Sequence, residues 1–189
     1  MIETIVISNL PNDIQAKNVE FNELRTAMKN IWSEVFPRPN ELHMPAASEE
    51  RQQKRKEIAE KFIGNVFALN ILFTEKSSGQ PIGWIMGEQT DFETFYLRSS
   101  GFIPKYRRQQ IYTTAHAALE DFLKKRGFER IASDHMPNNK PMLILKIRND
   151  YVINNMTLDE RFGPMVRLVK LLHSDRQSFY EEKFRLPKY

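Results

Sequence analysis

From Val19 to Phe36 the apolar residues Phe21, Leu24, Met28, Ile31, Trp32 and Val35 recur at three- and four-residue spacing, which is the period of one face of a helix. The stretch predicts an amphipathic helix. Before it, residues 2–7, IETIVI, are rich in β-branched side chains and read as a first strand, and SNLPND after them is turn chemistry. After the helix, the three prolines of PRPNELHMP break the period and predict a loop. ASEERQQKRKEIAEKFIG then reads as a charged helix, with Ser48 as its N-cap, Gly64 as its stop and a solvated charged face.

The middle of the chain changes period. NVFALNILF, PIGWIMGE and ETFYLRSSGFIP are three successive strand candidates, the first two separated by the turn-like TEKSSGQ, and they predict an antiparallel meander. A helix over 108–126 follows, with Ile111, Ala115, Ala118, Leu119 and Phe122 on one side. Then come a short strand ERIASD, a short helix MLILKIRN and the strands YVINNM and PMVRLVKLL. Residues 1–172 read as a single domain, and the tail 173–189 shows no clear period. A strand that leads through a helix to the next strand implies a parallel crossover within a mostly antiparallel sheet, so the predicted class is mixed α+β. The strand ending at Pro104 and the strand from Glu129 to Asp134 are expected to be parallel neighbours that splay near Gly101, with Ser99, Ser100 and Gly101 suiting a bulge.

Composition narrows the chemistry. With 189 residues, 41% of them apolar and 13 of them Phe, the chain can bury one sizeable core, where Trp32, Trp84 and the Phe residues are expected. Zero cysteines exclude a disulfide framework, a thiolate metal site and a cysteine nucleophile. His43, His116, His135 and His173 lack metal-ligand spacing, so no metal is expected. No apolar run approaches the ~20 residues of a membrane span and MIETIVISNLPND does not read as a signal peptide, so the expected location is cytoplasmic, with no membrane partner. The net charge is only +4, and Arg51, Lys54, Arg55 and Lys56 alternate with Glu49, Glu50, Glu57 and Glu60. A nucleic-acid partner is therefore disfavoured.

Three local patterns carry a resemblance. FIPKYR is similar to a strand end of the form apolar-x-Pro-x-aromatic-Arg, the helix 108–126 closes on KRGFERI, and NNKPMLILKIRNDY gives an Asn-led short helix followed by an aromatic-led strand. In this order and spacing the chain resembles the GNAT superfamily of acyl-CoA-dependent N-acyltransferases. The resemblance covers about residues 66–171, is weaker over 1–65 and is absent from the tail. It implies a mostly antiparallel sheet with a central splayed parallel pair flanked by helices, an acetyl-CoA or other acyl-CoA co-substrate, and a small-molecule or peptide amine acceptor. A homodimer is also compatible with it.

Carried over residue by residue, the resemblance assigns the amide-bearing arm of CoA to Ser100, Gly101 and Phe102. It assigns the pyrophosphate to the helix start, Arg107, Arg108, Gln109, Gln110, Ile111, Tyr112 and Thr113, where free N–H groups and the helix dipole favour an anion. Asn139 marks the short helix. The family pattern Arg/Gln-x-x-Gly-x-Gly/Ala puts Gln110 and Tyr112 at its two small positions, so their side chains are expected to crowd the phosphates.

Relatives often place a Tyr seven residues after the Asn, to protonate the departing thiolate. Here that count reaches Lys146, which either pairs with the thiolate or is a surface lysine, the surface reading being favoured. A positioned acid contributes about 10²–10⁴ in rate, so its absence slows the reaction without forbidding it. The base that must take a proton from the acceptor ammonium is sought at Glu88 or Glu93, with His116 and His135 behind them. Backbone N–H near Phe102 is the expected oxyanion donor. PRPNELHMP and the link between the last two strands are the expected acceptor walls. The rival reading is a silent member of the same fold that binds CoA or a partner and has lost the chemistry.

Overall fold

The computed structural model describes residues 4–37, 48–62 and 66–184. Gly64 and nearly all of the PRPNELHMP loop lie outside the described residues. The chain runs β1 (Ile14–Asn18), α1 (Phe21–Val35), α2 (Glu49–Phe62), β2 (Ala68–Glu75), β3 (Pro81–Gln89), β4 (Thr94–Phe102), α3 (Ile111–Lys125), β5 (Arg130–His135), α4 (Lys140–Ile147), β6 (Val152–Asp159), β7 (Gly163–Leu171) and α5 (Ser174–Phe184). The strands form one seven-stranded sheet in the order β1-β2-β3-β4-β5-β7-β6. Every neighbouring pair is antiparallel except β4 and β5, which are parallel.

Two helices seal opposite faces of this sheet. Alternation along β2 sends Leu69, Ile71 and Phe73 to the face covered by α3, where they meet Ile111, Ala115, Leu119 and Leu123. Trp84 points the other way, into Val19, Leu24, Ile31 and Val35 around α1. Each fully buried side chain of this size contributes about 1.5–3 kcal/mol by leaving water. The two layers hold the parallel pair at the centre of the sheet, with a different helix on each side of it.

Four expectations need correction. The β-branched run at 2–7 is not the first strand: residues 4–10 form no strand, although Ile5 is buried in the core, and β1 is the less apolar IQAKN. The turn at Pro11–Asp13 decides this, because it closes with Ile14 N–H on Pro11 O at 2.9 Å and directs the following residues antiparallel to β2. The helix expected from 108 begins at Ile111. The bulge falls on Arg98 rather than on the Ser99–Gly101 triplet, since Met86 pairs with Ser99 while Gly87 pairs with Leu97. Trp32 stacks on Trp84 at 5.7 Å but keeps 41% exposure, and Phe92 is almost wholly exposed.

The tail forms a helix, α5, all of it within the stretch 173–189 that shows no apolar period. It buries no residue, leaving even Phe179 and Phe184 exposed, and Arg176 ties it back to Glu93 at 2.9 Å and Glu129 at 3.0 Å. On α2 the described side chains are exposed, and Arg51 N–H reaches Ser48 Oγ at 3.4 Å, a long N-cap contact.

Candidate active site

Three rungs join β4 to β5: Thr94 to Arg130, Phe95 to Ile131 and Tyr96 to Ala132. Beyond them β5 continues against β7, and β4 continues to Phe102 against β3 alone. The parallel pair therefore opens after Tyr96, earlier than the expected point near Gly101. From Leu97 onward the β5 side of β4 carries backbone groups outside any ladder, and such groups can pair with an extended, amide-bearing ligand. The bulge at Arg98 bends the strand where the gap begins.

The start of α3 stands at this end of β4. Arg108 and Gln110 both have left-handed backbones, with φ of 63° and 60°. Gln110 is the N-cap yet makes no side-chain cap bond, and the first helical bond runs from Thr114 N–H to Gln110 O at 2.9 Å. The N–H groups of Ile111, Tyr112 and Thr113 are those a helix leaves without an internal acceptor, and the helix dipole makes them a seat for negative charge. Arg108 is exposed beside them. Arg107 is committed elsewhere, donating to Phe102 O at 2.8 Å and to Val35 O at 2.9 Å, and Gln109 donates to Lys105 O at 2.8 Å.

On the α3 face, the gap is lined by a buried polar cluster. Tyr112 does not project toward the helix start: its ring lies 5.5 Å from that of His116 and its phenol is turned toward the Ser100 side chain. The His116 Nδ1–H donates to Glu120 at 2.8 Å, and Lys170 donates to the other Glu120 oxygen at 2.8 Å. His116 Nε2 is left to accept from Lys146 Nζ at 2.9 Å and from the Tyr151 hydroxyl at 2.8 Å. Tyr112, His116, Glu120, Lys146 and Tyr151 line a cavity of about 60 Å³ between α3 and α4.

Burial dominates their titration. It lowers His116 to about 4, with the Lys146 charge adding to it, so the ring is neutral at pH 7. Burial also lowers Lys146 to about 7 and pushes the phenols of Tyr112 and Tyr151 up. Burial alone would raise Glu120, but hydrogen bonds from His116 and Lys170 hold it below the usual carboxylate range.

The other face of the gap, beside α1, is built differently. Arg167 grips Asp134 at 2.9 and 2.8 Å, Tyr96 donates to Asp134 at 3.1 Å, and Arg98 pairs with Glu88. Burial raises the Tyr96 phenol to about 12. Trp84 Nε1–H donates to Ser99 at 3.0 Å, and Gly101 lies so close to α1 that an added Cβ would stand 2.3 Å from Val35 Cγ1.

The residues singled out in the sequence are thus only partly brought together. Ser100, Gly101 and Phe102 on β4, and Arg108, Gln110, Ile111, Tyr112 and Thr113 at the start of α3, are brought together around the gap, although Phe102 and Ile111 turn their side chains into the core. Glu88 pairs with Tyr96 in register, level with the last parallel rung. Glu93 lies at the closed end of the pair, where Arg176 and Arg130 hold its carboxyl below the usual range, and it does not join the others. Asn139 caps α4 by position only, without a side-chain bond. Lys146 is not a surface lysine, being 2% exposed.

Glu120, Lys170, Tyr151, Asp134 and Arg167 escaped the sequence reading as site residues. Only the i,i+4 spacing of His116 and Glu120 gave a local signal, because the rest meet across strands. Among the described residues no group of His and acidic side chains could hold a metal ion, and no helix is long and apolar enough to cross a membrane.

A sequence model of the acetyltransferase (GNAT) family matches residues 26–145, which include most of α1, the opened pair and the first six residues of α4. The chain belongs to the GNAT family. No curated protein matches this GNAT chain by sequence. Its fold is similar to that of the ribosomal-protein-S18-alanine N-acetyltransferase from Escherichia coli, at 16% identity over 84% of this chain and 94% of that one, with a TM-score of 0.58. The ribosomal-protein-S5-alanine acetyltransferase from Vibrio fischeri is similar at 12% identity over 89% of this chain and 98% of that one, with a TM-score of 0.62. A mutant of the spermidine N-acetyltransferase SpeG from Vibrio cholerae is similar at 14% identity over 86% and 95%, with a TM-score of 0.58.

Proposed function

We propose that this protein is a cytoplasmic N-acyltransferase that moves an acyl group, acetyl in the simplest case, from acyl-CoA to an amine by direct attack. The observation that carries this reading is the parallel pair that opens after Tyr96 with an uncapped helix start at its mouth. An anionic, amide-bearing co-substrate fits the residues present, because the free edge of β4 offers amide partners and Ile111–Thr113 with Arg108 offer donors and positive charge to phosphates. When bound, acyl-CoA supplies an activated carbonyl on a good leaving group.

The chain supplies the rest. The β4 edge aligns the pantetheine arm, and a backbone N–H close to where the pair opens, rather than the expected one near Phe102 six residues further toward the phosphate seat, polarises the thioester carbonyl. The α1 face, where Glu88 lies level with the last rung, admits the amine from the side opposite α3, and Glu88 takes its proton directly or through water. Glu93 has no part in this. Structural relatives whose names state acetylation of ribosomal proteins and of spermidine favour a peptide N-terminus or a polyamine as the acceptor class.

A calorimetric titration with acetyl-CoA tests the site, and thiol release with spermidine and with an alanine-led peptide tests the chemistry. Arg108→Glu is expected to weaken acetyl-CoA binding at least tenfold more than Lys125→Glu, which reverses a charge at the far end of the same helix, by the reach of salt-screened charges. Equal losses would mean a diffuse charge effect and no phosphate seat. A second reading, binding without chemistry, is favoured by the bulk of Tyr112, whose phenol is turned toward Ser100 at the gap. Tight binding with no thiol release from either acceptor would select it.

A further inference from the structure

Lys146 is buried near the end of α4, and no carboxylate among the described residues lies within ion-pair distance of it. Its nearest partners are His116 Nε2 at 2.9 Å and the faces of Tyr151 and Tyr112, whose ring centres are 4.1 and 5.8 Å away. A buried ammonium so placed is normally costly. Its surroundings explain how it is held. Glu120, kept anionic by Lys170, accepts from His116 Nδ1–H and so fixes the tautomer in which Nε2 is an acceptor. That lone pair has two suitors, Lys146 and the Tyr151 hydroxyl, and it serves one at a time. When Tyr151 holds it, the ammonium hydrogens face the cavity.

That cavity, lined by residues of α3, α4 and the turn before β6, adjoins the gap between β4 and β5 through two of its neighbours. Tyr112, which lines it, is turned toward Ser100 of β4, and the charge of Lys146 is felt by His135 of β5. The titratable and charged groups facing Lys146 are Tyr112, His116 and Glu120 from α3, His135 from β5, Lys170 from β7 and Tyr151 just before β6.

We propose that Lys146 gives the proton to the sulfur that leaves in acyl transfer, with His116, oriented by Glu120, as its positioning residue. This rests on the acyl-transfer reading above. The acceptor nitrogen forms the C–N bond to the thioester carbon, the C–S bond breaks with its electron pair going to sulfur, and Lys146 gives that sulfur one proton and becomes a neutral amine. The new amide nitrogen sheds its surplus proton to the base or solvent. Lys146 regains one from solvent through the cavity, so charge balances over the cycle. A lysine lowered to about 7 is a stronger acid than a thiol at about 8.5, whereas one at about 10.4 is weaker.

The test uses the full chain and three readouts. In spectra of protein labelled with ¹³C at lysine Cε, the resonance absent from Lys146→Arg is expected to titrate near pH 7, and a midpoint above about 9.5 overturns the proposal. Lys146→Met, an apolar near-isostere, is expected to hold or raise Tm, because a desolvated charge is removed and Tyr151 still serves His116. With spermidine as the probe acceptor, the same change is expected to lower kcat by about 10²–10³ with KM unchanged, and to abolish the fall of kcat above pH 7. His116→Phe is expected to shift the lysine midpoint and that limb of the kcat profile together, whereas a structural role alone would alter only Tm. A wild-type chain that binds no acetyl-CoA sinks both readings. One that turns over, with Lys146→Met equally fast, sinks this one alone.

Discussion

Gln110 shows how a single residue departs from the sequence expectation without the backbone following it. The position reads as one where the family keeps a small residue, and its backbone keeps the left-handed conformation, φ 60°, that a glycine would adopt without strain. An L side chain there costs about 1–2 kcal/mol, against about 0.5–1 kcal/mol for the extra freedom glycine loses on folding. Gln110→Gly is therefore expected to leave stability unchanged or raise it by up to about 1 kcal/mol in urea unfolding, while acetyl-CoA binds as tightly or more tightly. A loss above 1 kcal/mol would mean that the side chain holds the loop in a way the hydrogen bonds do not show. Tyr112 is a different case, although the sequence pattern treats the two alike. Its ring packs on His116 inside the gap, so Tyr112→Ala leaves a cavity and is expected to cost about 3 kcal/mol or more. Urea unfolding of the two single variants separates loop strain from packing.

At the scale of elements, the gap is held open by contacts made on the α1 side. Arg107 ties the end of β4 to the end of α1 through Phe102 O and Val35 O, and Gly101 allows that approach because it has no Cβ to meet Val35. Gly101→Ala would place a carbon 2.3 Å from Val35 Cγ1 and is expected to cost about 1–3 kcal/mol by overpacking. Adding Val35→Ala should return at least 1 kcal/mol of that in a double-mutant cycle, and strict additivity would show that the clash is relieved elsewhere. The elements themselves were largely legible, since period two and period three to four survive in β2, β3, β4, α1 and α3, and the strand–helix–strand order fixed the parallel pair. What misled was local composition. IETIVI has strand-like residues but no ladder, because the turn at Pro11–Asp13 presents IQAKN to β2 instead. For α5, no apolar stripe exists to be read. The candidate site was legible at β4 and the start of α3, where its residues are contiguous. The chain from Lys170 through Glu120 and His116 to Lys146 was not, because β7, α3 and α4 meet only in three dimensions. Lys146 itself reads as a surface residue, since lysine seldom lies wholly buried.

For the molecule as a whole, the buried cluster between α3, α4 and β7 sets how stability depends on pH. Lys146 is lowered to about 7 when folded and returns to about 10.4 when unfolded, so between those values the unfolded chain binds one proton more. Stability therefore rises with pH across that window, by up to about 1.4 kcal/mol per unit, and below 7 the whole penalty of the buried charge is present. His116 and His135, both lowered to about 4 against about 6.5 unfolded, act in the same direction: stability falls as pH drops from 6.5 toward 4. Glu120 and Asp134, held below their ordinary values chiefly by Lys170, His116 and Arg167 against the opposing effect of burial, add their losses at the acid end. The expected outcome is a urea midpoint that climbs from pH 5 to pH 9, where most small domains are flat or already declining at the alkaline end. Lys146→Met removes only the upper part of the climb and leaves the lower part, which depends on the histidines. A wild-type midpoint that is level between pH 7 and 9, or a Lys146→Met form that climbs as steeply there, would mean that the ammonium is solvated or paired in solution and that its burial does not govern the stability of the fold.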